Sequence, residues 1–335
     1  MAYFDVCNGD ADGLSAVVQW RLAKPQLATL VTGLKRNIAL LDRVVAKAGD
    51  QVLVCDISMR RNLSALLGLL ASGADVRYFD HHDPGLVPSH PHLQVHVATA
   101  ATTCTSLLVS EYLGHPYRHW ALVGAYGDQL DSVADALAAA WGVGSQQRQQ
   151  LKTLGQAINH NAYGDSDADV GMAPARLYDI LIRYPDPLAL LQQEPLTQVL
   201  IDRREADLKL AMTQPPYLSS GRARAYLLPE SPWSRRVGGS LVNELAALRP
   251  HCAHAVLRRT HSGGYLVSVR APRLQAQGAA ELCRRFGGGG RAAAAGIDEL
   301  PACDLRRFLE AFVEHHWERP LVRSETRVTD AAVWA

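Results

Sequence analysis

Apolar residues in the first part of the chain follow two patterns that alternate along the sequence. Short apolar runs rich in Val, Ile, Tyr and Phe indicate strands, and stretches with apolar residues at helical spacing indicate helices. The predicted strands are residues 2–7, 27–32, 51–55, 76–79 and 93–97, and the predicted helices between them are residues 14–23, 38–48 and 63–71. Strands that alternate with helices in this way predict a parallel sheet with right-handed crossover connections.

The pattern becomes helical after these strands. Residues 103–140 indicate helices that are interrupted at Gly127-Asp128, and residues 145–212 are mainly helical. Gln214-Pro215-Pro216 marks a boundary, beyond which short strands and helices predict a smaller α/β domain. The fold class is therefore α/β. The expected parts are an N-terminal parallel-sheet domain (residues 1–135), a helical extension and connector (136–214) and a C-terminal α/β domain (215–325).

Composition is that of an ordinary globular protein, with 48% apolar and 20% charged residues. A formal net charge of +1 argues against a strongly basic nucleic-acid binder and against a membrane partner. Charge is nevertheless unevenly spread: residues 1–135 hold 13 acids and 10 lysines or arginines, whereas residues 217–291 hold 12 arginines and 3 acids. Six scattered cysteines without a CxxC pair, and an N-terminus without a basic-then-apolar leader, predict a cytoplasmic protein.

Acids and histidines directly follow the predicted strands. These residues are Asp10 and Asp12, Asp56, and the run Asp80-His81-His82. Carboxyl ends of parallel strands meet at one edge of a sheet, which is where α/β proteins bind ligands. Each residue alone has an ordinary alternative, because Asp is a favoured helix N-cap and histidines are common in solvated loops.

Taken together, the acids at these strand ends predict a metal centre. Asp128, which follows Gly127 in an apolar helical segment, adds a further carboxylate. Clustered carboxylates repel one another unless cations neutralise them, and mixed Asp and His ligation favours Mn²⁺ or a similar ion. Two such ions close together stabilise an in-line displacement at phosphorus, so the chemistry that we infer is phosphoester hydrolysis.

A second signal is the glycine-rich run Gly287 to Gly290 followed by Arg291. Consecutive glycines expose backbone N–H groups to an anion, and an arginine adds a charge-assisted donor. A flexible linker is the alternative. Arg270, at the end of a predicted strand, is either a phosphate clamp or an exposed surface arginine.

The ordered set resembles the DHH phosphoesterase superfamily with its DHH-associated C-terminal domain. The matching pieces are Asn8-Gly9-Asp10-Ala11-Asp12-Gly13, Asp56, Asp80-His81-His82, Gly127-Asp128, Ser268-Val269-Arg270 and Gly287 to Gly296. The resemblance implies two Mn²⁺ ions, with Mg²⁺ or Co²⁺ as substitutes. Asp10 and Asp56 would hold one ion. The other would be held by Asp12, Asp56, His81 and Asp128.

The resemblance also implies the remaining roles. His82 would contact the scissile phosphate, and Asp80 would orient the histidines. Arg270 and the loop of Gly288, Gly289, Gly290 and Arg291 would hold the far end of the substrate, with the active site in the cleft between the domains.

Two residues depart from the family pattern. Many members begin the first motif with a histidine that completes one metal site, whereas Asn8 stands in that neighbourhood here and would be a weak ligand or support the ligands. Arg291 stands where the C-terminal domain usually has the histidine of a GGGH run. An arginine there suggests a stronger grip on an anion, such as the terminal phosphate of a short oligonucleotide.

The leading prediction is a Mn²⁺-dependent phosphodiesterase of nanoRNase type, which hydrolyses short linear oligonucleotides or dinucleotides such as pGpG to mononucleotides. No stable complex with long nucleic acid is expected, and a homodimer is left open. The alternatives are a RecJ-like single-strand exonuclease, a cyclic-dinucleotide or 3′-phosphoadenosine phosphate hydrolase, and a nucleotide sensor without turnover.

Overall fold

The fold is taken from a computed structural model that describes residues 1–315 and residue 317. The described chain divides into two compact units. The first comprises Met1–Thr213 together with Ser231–Val237, and the second comprises Gln214–Glu230 and the residues from Gly238 onward. Residues 318–325 of the predicted C-terminal domain lie outside the described residues.

Five strands and nine helices form the chain as far as residue 213. The strands are β1 (Tyr3–Asn8), β2 (Thr29–Gly33), β3 (Gln51–Cys55), β4 (Asp75–Asp80) and β5 (Leu93–Val97). The helices are α1 (Ala11–Ala23), α2 (Met59–Ala71), α3 (Thr105–Leu113), α4 (Arg118–Gly127), α5 (Asp131–Ala140), α6 (Ser145–Ala162), α7 (Pro174–Leu181), α8 (Pro187–Gln193) and α9 (Pro195–Met212).

The five strands form one parallel sheet in the order β2-β1-β3-β4-β5. Successive side chains point to opposite faces, so Val54 and Tyr78 pack with α2 on one face, whereas Cys55 and Phe79 pack in the core of α1 and α4 on the other. Strands of a sheet with both faces buried have short, nearly continuous apolar runs, as this sequence does. The predicted parallel α/β fold is confirmed.

The remaining described chain forms a second, mixed sheet. Its strands are β6 (Leu218–Ser220), β7 (Ala223–Leu227), β8 (Ala253–Arg259), β9 (Tyr265–Arg270), β10 (Gly289–Gly290) and β11 (Ala294–Leu300), in the order β10-β11-β9-β8-β7-β6. The helices of this part of the chain are α10 (Pro232–Leu248), whose residues up to Val237 belong to the first unit, α11 (Ala279–Arg284) and α12 (Leu305–Glu314). The apolar side chains of β8, β9 and β11 share a core with α11 and α12.

The predicted helix over residues 38–48 is wrong. Only a short 3-10 turn forms there, at Leu41–Arg43. Asn62 of α2 supplies the hydrogen bonds that a helix ladder would have made: its side-chain Nδ2 donates to Ile38 O at 2.7 Å, and its Oδ1 accepts from Leu41 N at 3.3 Å. Leu40, Leu41 and Val44 are buried in a core that they share with α2, rather than on the face of an amphipathic helix of their own.

None of the helices in the described residues has both the length and the apolar character that a membrane crossing requires.

A close contact between α4 and α6 sets the packing around the first sheet. A Cβ added at Gly155 would lie 2.2 Å from Val123 O and 3.0 Å from Gly127 N, and both of these are backbone atoms. Gly68, in the exposed part of α2, has no atom within 4 Å of such a Cβ. The two positions therefore differ in packing while both lie inside helices.

Gly155→Ala is expected to lower the free energy of unfolding by about 1–3 kcal/mol, because the two helix backbones must separate. Gly68→Ala is the matched control and should be neutral or stabilise by up to about 1 kcal/mol, since alanine favours helix. Urea unfolding followed by circular dichroism measures both. Equal effects at the two positions would contradict this account of the helix contact.

Candidate metal centre

Asp10 links the end of β1 to the start of α1. Its Oδ1 accepts from Asp12 N at 3.1 Å and from Gly13 N at 3.0 Å, so it is the N-cap of α1. Its Oδ2 faces Lys35 Nζ at 2.5 Å. Asp10 is therefore both the N-cap of α1 and a member of the carboxylate cluster, because its two oxygens contact different partners.

Asp12 lies in the first turn of α1 and faces the start of α3. Its two oxygens each accept a backbone N–H at 2.8 Å, from Thr105 and from Ser106. These are among the first N–H groups of α3, which have no partner within the helix. A buried carboxylate is thus held at a fixed position by the positive end of a neighbouring helix.

Asp56 directly follows β3 and has a left-handed backbone, with φ of 58°. This conformation is uncommon for a residue other than glycine and raises the free energy by about 1 kcal/mol or more. Its N–H donates to Phe79 O at 3.0 Å, and its Oδ1 accepts from Thr105 Oγ1 at 3.4 Å. The turn directs the carboxylate to the centre of the cluster, beside Asp10.

The Asp80-His81-His82 run leaves the end of β4. Asp80 is fully buried, and its Oδ1 accepts from His81 N at 2.8 Å and lies 2.7 Å from His82 Nδ1. His81 Nδ1 lies 3.2 Å from Thr103 O. A carbonyl can only accept, so that nitrogen carries the proton and Nε2, 3.4 Å from Asp56 Oδ1, is left to bind a cation.

Asp128 reaches the same place from the C-terminal end of α4. His81 Nδ1 lies 3.8 Å from its Oδ2, and 25% of the Asp128 side chain is exposed. The absence of a side chain at Gly127 allows this approach, because a Cβ at position 127 would lie 2.3 Å from Cβ of Ala11. The glycine therefore lets the end of α4 approach the start of α1, and the next residue, Asp128, joins the cluster.

The cluster carries more negative charge than its neighbours neutralise. Burial, followed by the charges of Asp10 and Asp12, raises the pKa of Asp56 well above the usual range of a carboxyl group. Burial and the charge of Asp12 likewise raise the pKa of Asp128 to about 6. Both carboxyls therefore hold protons more strongly than an exposed aspartate does.

The pKa values of His81 and Asp10 shift so that the charged form of each is favoured. Burial works to lower the pKa of His81, but the hydrogen bond with Asp56 and the charges of Asp12 and Asp56 outweigh it and raise that pKa to about 10. Burial also opposes ionisation of Asp10, yet the Lys35 ammonium leaves its pKa lowered. Protons and one ammonium thus supply the positive charge within the described residues.

The residues present have the chemistry of a divalent-metal site. Asp56, His81 and His82 can each offer one ligand atom within 4.8 Å of the others. Carboxylate and imidazole together suit first-row divalent ions. Among the described residues, Asp80 Oδ2 and Asn8 Oδ1 are buried without a hydrogen-bond partner, which leaves further oxygens with lone pairs available to a ligand or to water. The donor set of Asp56, His81 and His82 fits a divalent metal ion.

The structure brings together Asp10, Asp12, Asp56, His81 and Asp128, with Asp80 and His82 beside them. Sequence reasoning missed three further residues. Lys35 and Asn159 contact one another at the cluster through Nζ and Oδ1, 3.3 Å apart, and α3 contributes the backbone of Thr105. Lys35 could have been found, because it comes after β2 at the same edge of the sheet. Asn159 is remote in sequence and carries no local signal.

The predicted anion-binding residues lie together in the second unit. Arg270 is the last residue of β9 and pairs in register with Ala294 of β11. Its Nε donates to Asn243 Oδ1 at 2.7 Å. The glycine-rich run is not a linker, because Gly289–Gly290 forms β10 against β11. Arg291 lies in the connecting turn and is exposed. The substrate-binding role of this group stays a prediction.

Comparisons with known proteins identify the fold. No protein-family model matches the chain, and no curated protein matches it in sequence. A DHH-domain protein described as belonging to a family of ribosomal proteins is similar in structure, with a TM-score of 0.67 and 16% identity over 95% of this chain and 87% of that one.

Two further solved structures have described activities. Exonuclease RecJ bound to manganese has a TM-score of 0.58 and 20% identity over 95% of this chain and 90% of that one. The pGpG-specific phosphodiesterase PggH of Vibrio cholerae has a TM-score of 0.57 and 15% identity, over 93% of this chain and 98% of that one. The chain has the fold of these DHH-domain, RecJ and PggH structures, and the resemblance seen in its motifs holds for its architecture.

Metal binding is expected to release protons and to strengthen as pH rises. Ligation requires neutral imidazole and ionised carboxylates, whereas the metal-free pKa is about 10 for His81 and about 6 for Asp128. At pH 7, binding should therefore release about one to two protons per chain. Affinity should increase between about pH 6 and about pH 10, because protonation of these groups opposes binding in that window.

Titration calorimetry with Mn²⁺ in buffers of different ionisation enthalpy measures the released protons. A binding enthalpy that does not depend on the buffer would contradict the assigned charge states. The exposed His92→Ala variant is a control that should release the same number of protons as the unaltered protein.

Proposed function

We propose that the protein is a divalent-metal-dependent phosphodiesterase that hydrolyses short linear oligonucleotides or dinucleotides. The observation that carries the proposal is the convergence of Asp10, Asp12, Asp56, His81 and Asp128 at the carboxyl edge of one parallel sheet. A bound divalent ion would polarise a phosphoryl oxygen and lower the pKa of a water molecule. Mn²⁺ is the proposed ion, with Mg²⁺ or Co²⁺ as substitutes, and RecJ structures that contain Mn²⁺ and Mg²⁺ share the fold.

The chain's own residues account for the placement of the phosphate. Asp80 fixes the His82 ring through Nδ1 at 2.7 Å, and 46% of the His82 side chain is exposed. The other ring nitrogen is therefore available to contact a scissile phosphate. Burial works to lower the pKa of His82, but the Asp80 hydrogen bond outweighs it and raises the pKa, which favours a protonated ring facing the anion.

The proposed substrate is short for two reasons. The net charge of +1 does not favour the long phosphate tracks that single-strand exonucleases bind. The chain also aligns with PggH, a pGpG-specific enzyme, over 98% of that protein's length. The RecJ likeness and the arginine-rich second unit favour a single-strand exonuclease as the second candidate. We place the protein in the cytoplasm, and its six free cysteines support this.

The test is a substrate panel with Mn²⁺: linear pGpG, a 5-mer RNA, a 24-mer single-stranded DNA and cyclic di-GMP. We expect cleavage of the dinucleotide and the 5-mer and no loss of the 24-mer. Processive loss of the 24-mer would assign the protein to the exonucleases. Failure to cleave any of the four, with Mn²⁺ bound, would leave a nucleotide sensor.

His82→Ala should lower kcat on the cleaved substrate by about 10²–10⁴-fold, the usual range for a positioned acid or base. His92→Ala is its matched control, since His92 Nδ1 lies 2.7 Å from Asp75 Oδ1 with 45% of the side chain exposed, at the other edge of the sheet. The control should retain full activity. Equal losses in the two variants would remove His82 from the proposed site.

Arg291 is proposed to contact the terminal phosphate of the substrate. Arg291→Ala should raise KM for a 5′-phosphorylated dinucleotide by about tenfold and leave the unphosphorylated dinucleotide unchanged, because a hydrogen bond to a charged group contributes about 1.5–3 kcal/mol. Arg306→Ala is the control, as Arg306 is 90% exposed on α12. A change of the same size for both dinucleotides would contradict this role.

A further inference from the structure

Lys35 is held in a fixed position in the carboxylate cluster. Its Nζ lies 2.5 Å from Asp10 Oδ2 and 3.3 Å from Asn159 Oδ1, and 26% of its side chain is exposed. Its backbone N donates to Ala162 O at 3.0 Å, and its stem places Nζ 5.4 Å from the centre of the Tyr163 ring. Both its backbone and its ammonium group therefore have fixed partners.

The ammonium group takes the oxygen of Asp10 that a metal would use. Both N-cap hydrogen bonds of α1 go to Oδ1 of Asp10, so Oδ2 is the oxygen left for a cation. Asp10 Oδ2 contacts Lys35 Nζ at a distance that leaves no room for an ion between them. An ammonium and a divalent ion compete for this oxygen, because their charges repel.

Asn8 supports the same interpretation. Asn8 has an amide side chain, and its Nδ2 donates to the backbone O of Lys35 at 3.4 Å. This side chain therefore contacts the loop that carries the lysine. The one potential ligand it could offer is Oδ1, which is a weaker donor than imidazole.

The other group of ligands is held in place without Lys35. Asp12 is fixed by the backbone N–H groups of α3, and Asp128 is placed by the end of α4. His81, fixed by Thr103 O, faces Asp56 through Nε2 and Asp128 through Nδ1. Asp56, His81 and His82 each offer a ligand atom within 4.8 Å of the others, so one divalent ion can be held without any contribution from Asp10 Oδ2.

We infer that the Lys35 ammonium replaces one of the two metal ions, so that each chain binds a single divalent ion on the Asp56 and His81 side of the cluster, without Asp10. The inference rests on the metal-dependent function proposed above and changes the predicted ion count from two to one. Lys35 supplies a permanent unit charge where the second ion would stand, next to Asp10.

The decisive measurement is the number of Mn²⁺ ions bound by the full chain, from titration calorimetry and from the electron paramagnetic resonance signal of free Mn²⁺. We expect one ion per chain and no signal from an exchange-coupled pair of ions. Two ions per chain, or an exchange-coupled pair, would overturn the inference without any variant.

Lys35→Met removes the charge and keeps most of the stem, so it should increase the count from one ion to two. Lys35→Gln is a second neutral variant in case the first does not fold, and Lys35→Arg should retain one ion. Lys47→Met, at an exposed lysine, is the control and should also retain one ion. A folded neutral variant that still binds one ion would overturn the inference.

Turnover on the substrate panel separates this inference from the proposed function. One bound ion with no cleavage of any substrate would support the role of Lys35 and reject the phosphodiesterase. Two bound ions with cleavage of the dinucleotide would reject the role of Lys35 and support the phosphodiesterase.

Discussion

Repulsion among buried carboxylates is the constraint on which the N-terminal unit depends. Asp10, Asp12 and Asp56 are at most 3% exposed and lie at one edge of the sheet. Such a group is stable only if donors and cations surround it. The first turns of α1 and α3 supply backbone N–H groups, and Lys35 and His81 supply positive charge. Helices α1 and α3 therefore meet this edge at their N-terminal ends.

Small residues let α1, α3 and α4 come close enough to surround the carboxylates with donors. Gly127 lets the end of α4 approach Ala11, and a Cβ at Gly124 would lie 2.1 Å from Ser106 Oγ and 3.1 Å from Asp12 Oδ1. The backbone of α4 therefore lies directly against side chains of α1 and α3, where Asp12 accepts two N–H groups. Larger residues would fill the core equally well, but they would move these groups apart by a side-chain diameter.

The strand ends could be predicted from the sequence because a buried parallel strand has a clear apolar pattern, and the residue after it is fixed at the sheet edge. The residues after β1, β3 and β4 were found in this way. Lys35 likewise follows a strand, β2. A lysine in that position is typical of solvated surface, so the sequence did not indicate that Lys35 belongs to the cluster. The helix predicted over residues 38–48 was wrong because Asn62, distant in sequence, takes the backbone hydrogen bonds. Asn159 and the N–H groups of α3 depend on tertiary contacts that no local pattern encodes.

The left-handed backbone of Asp56 affects how experiments at this residue can be interpreted. Alanine at position 56 removes a carboxylate and also introduces a residue that disfavours positive φ. Asparagine adopts the same backbone readily and has nearly the same shape, so it changes the charge alone. Glycine relaxes the backbone and removes the side chain. Comparing the three residues separates conformational strain from electrostatics at one position, which is rarely possible in a buried cluster of acids.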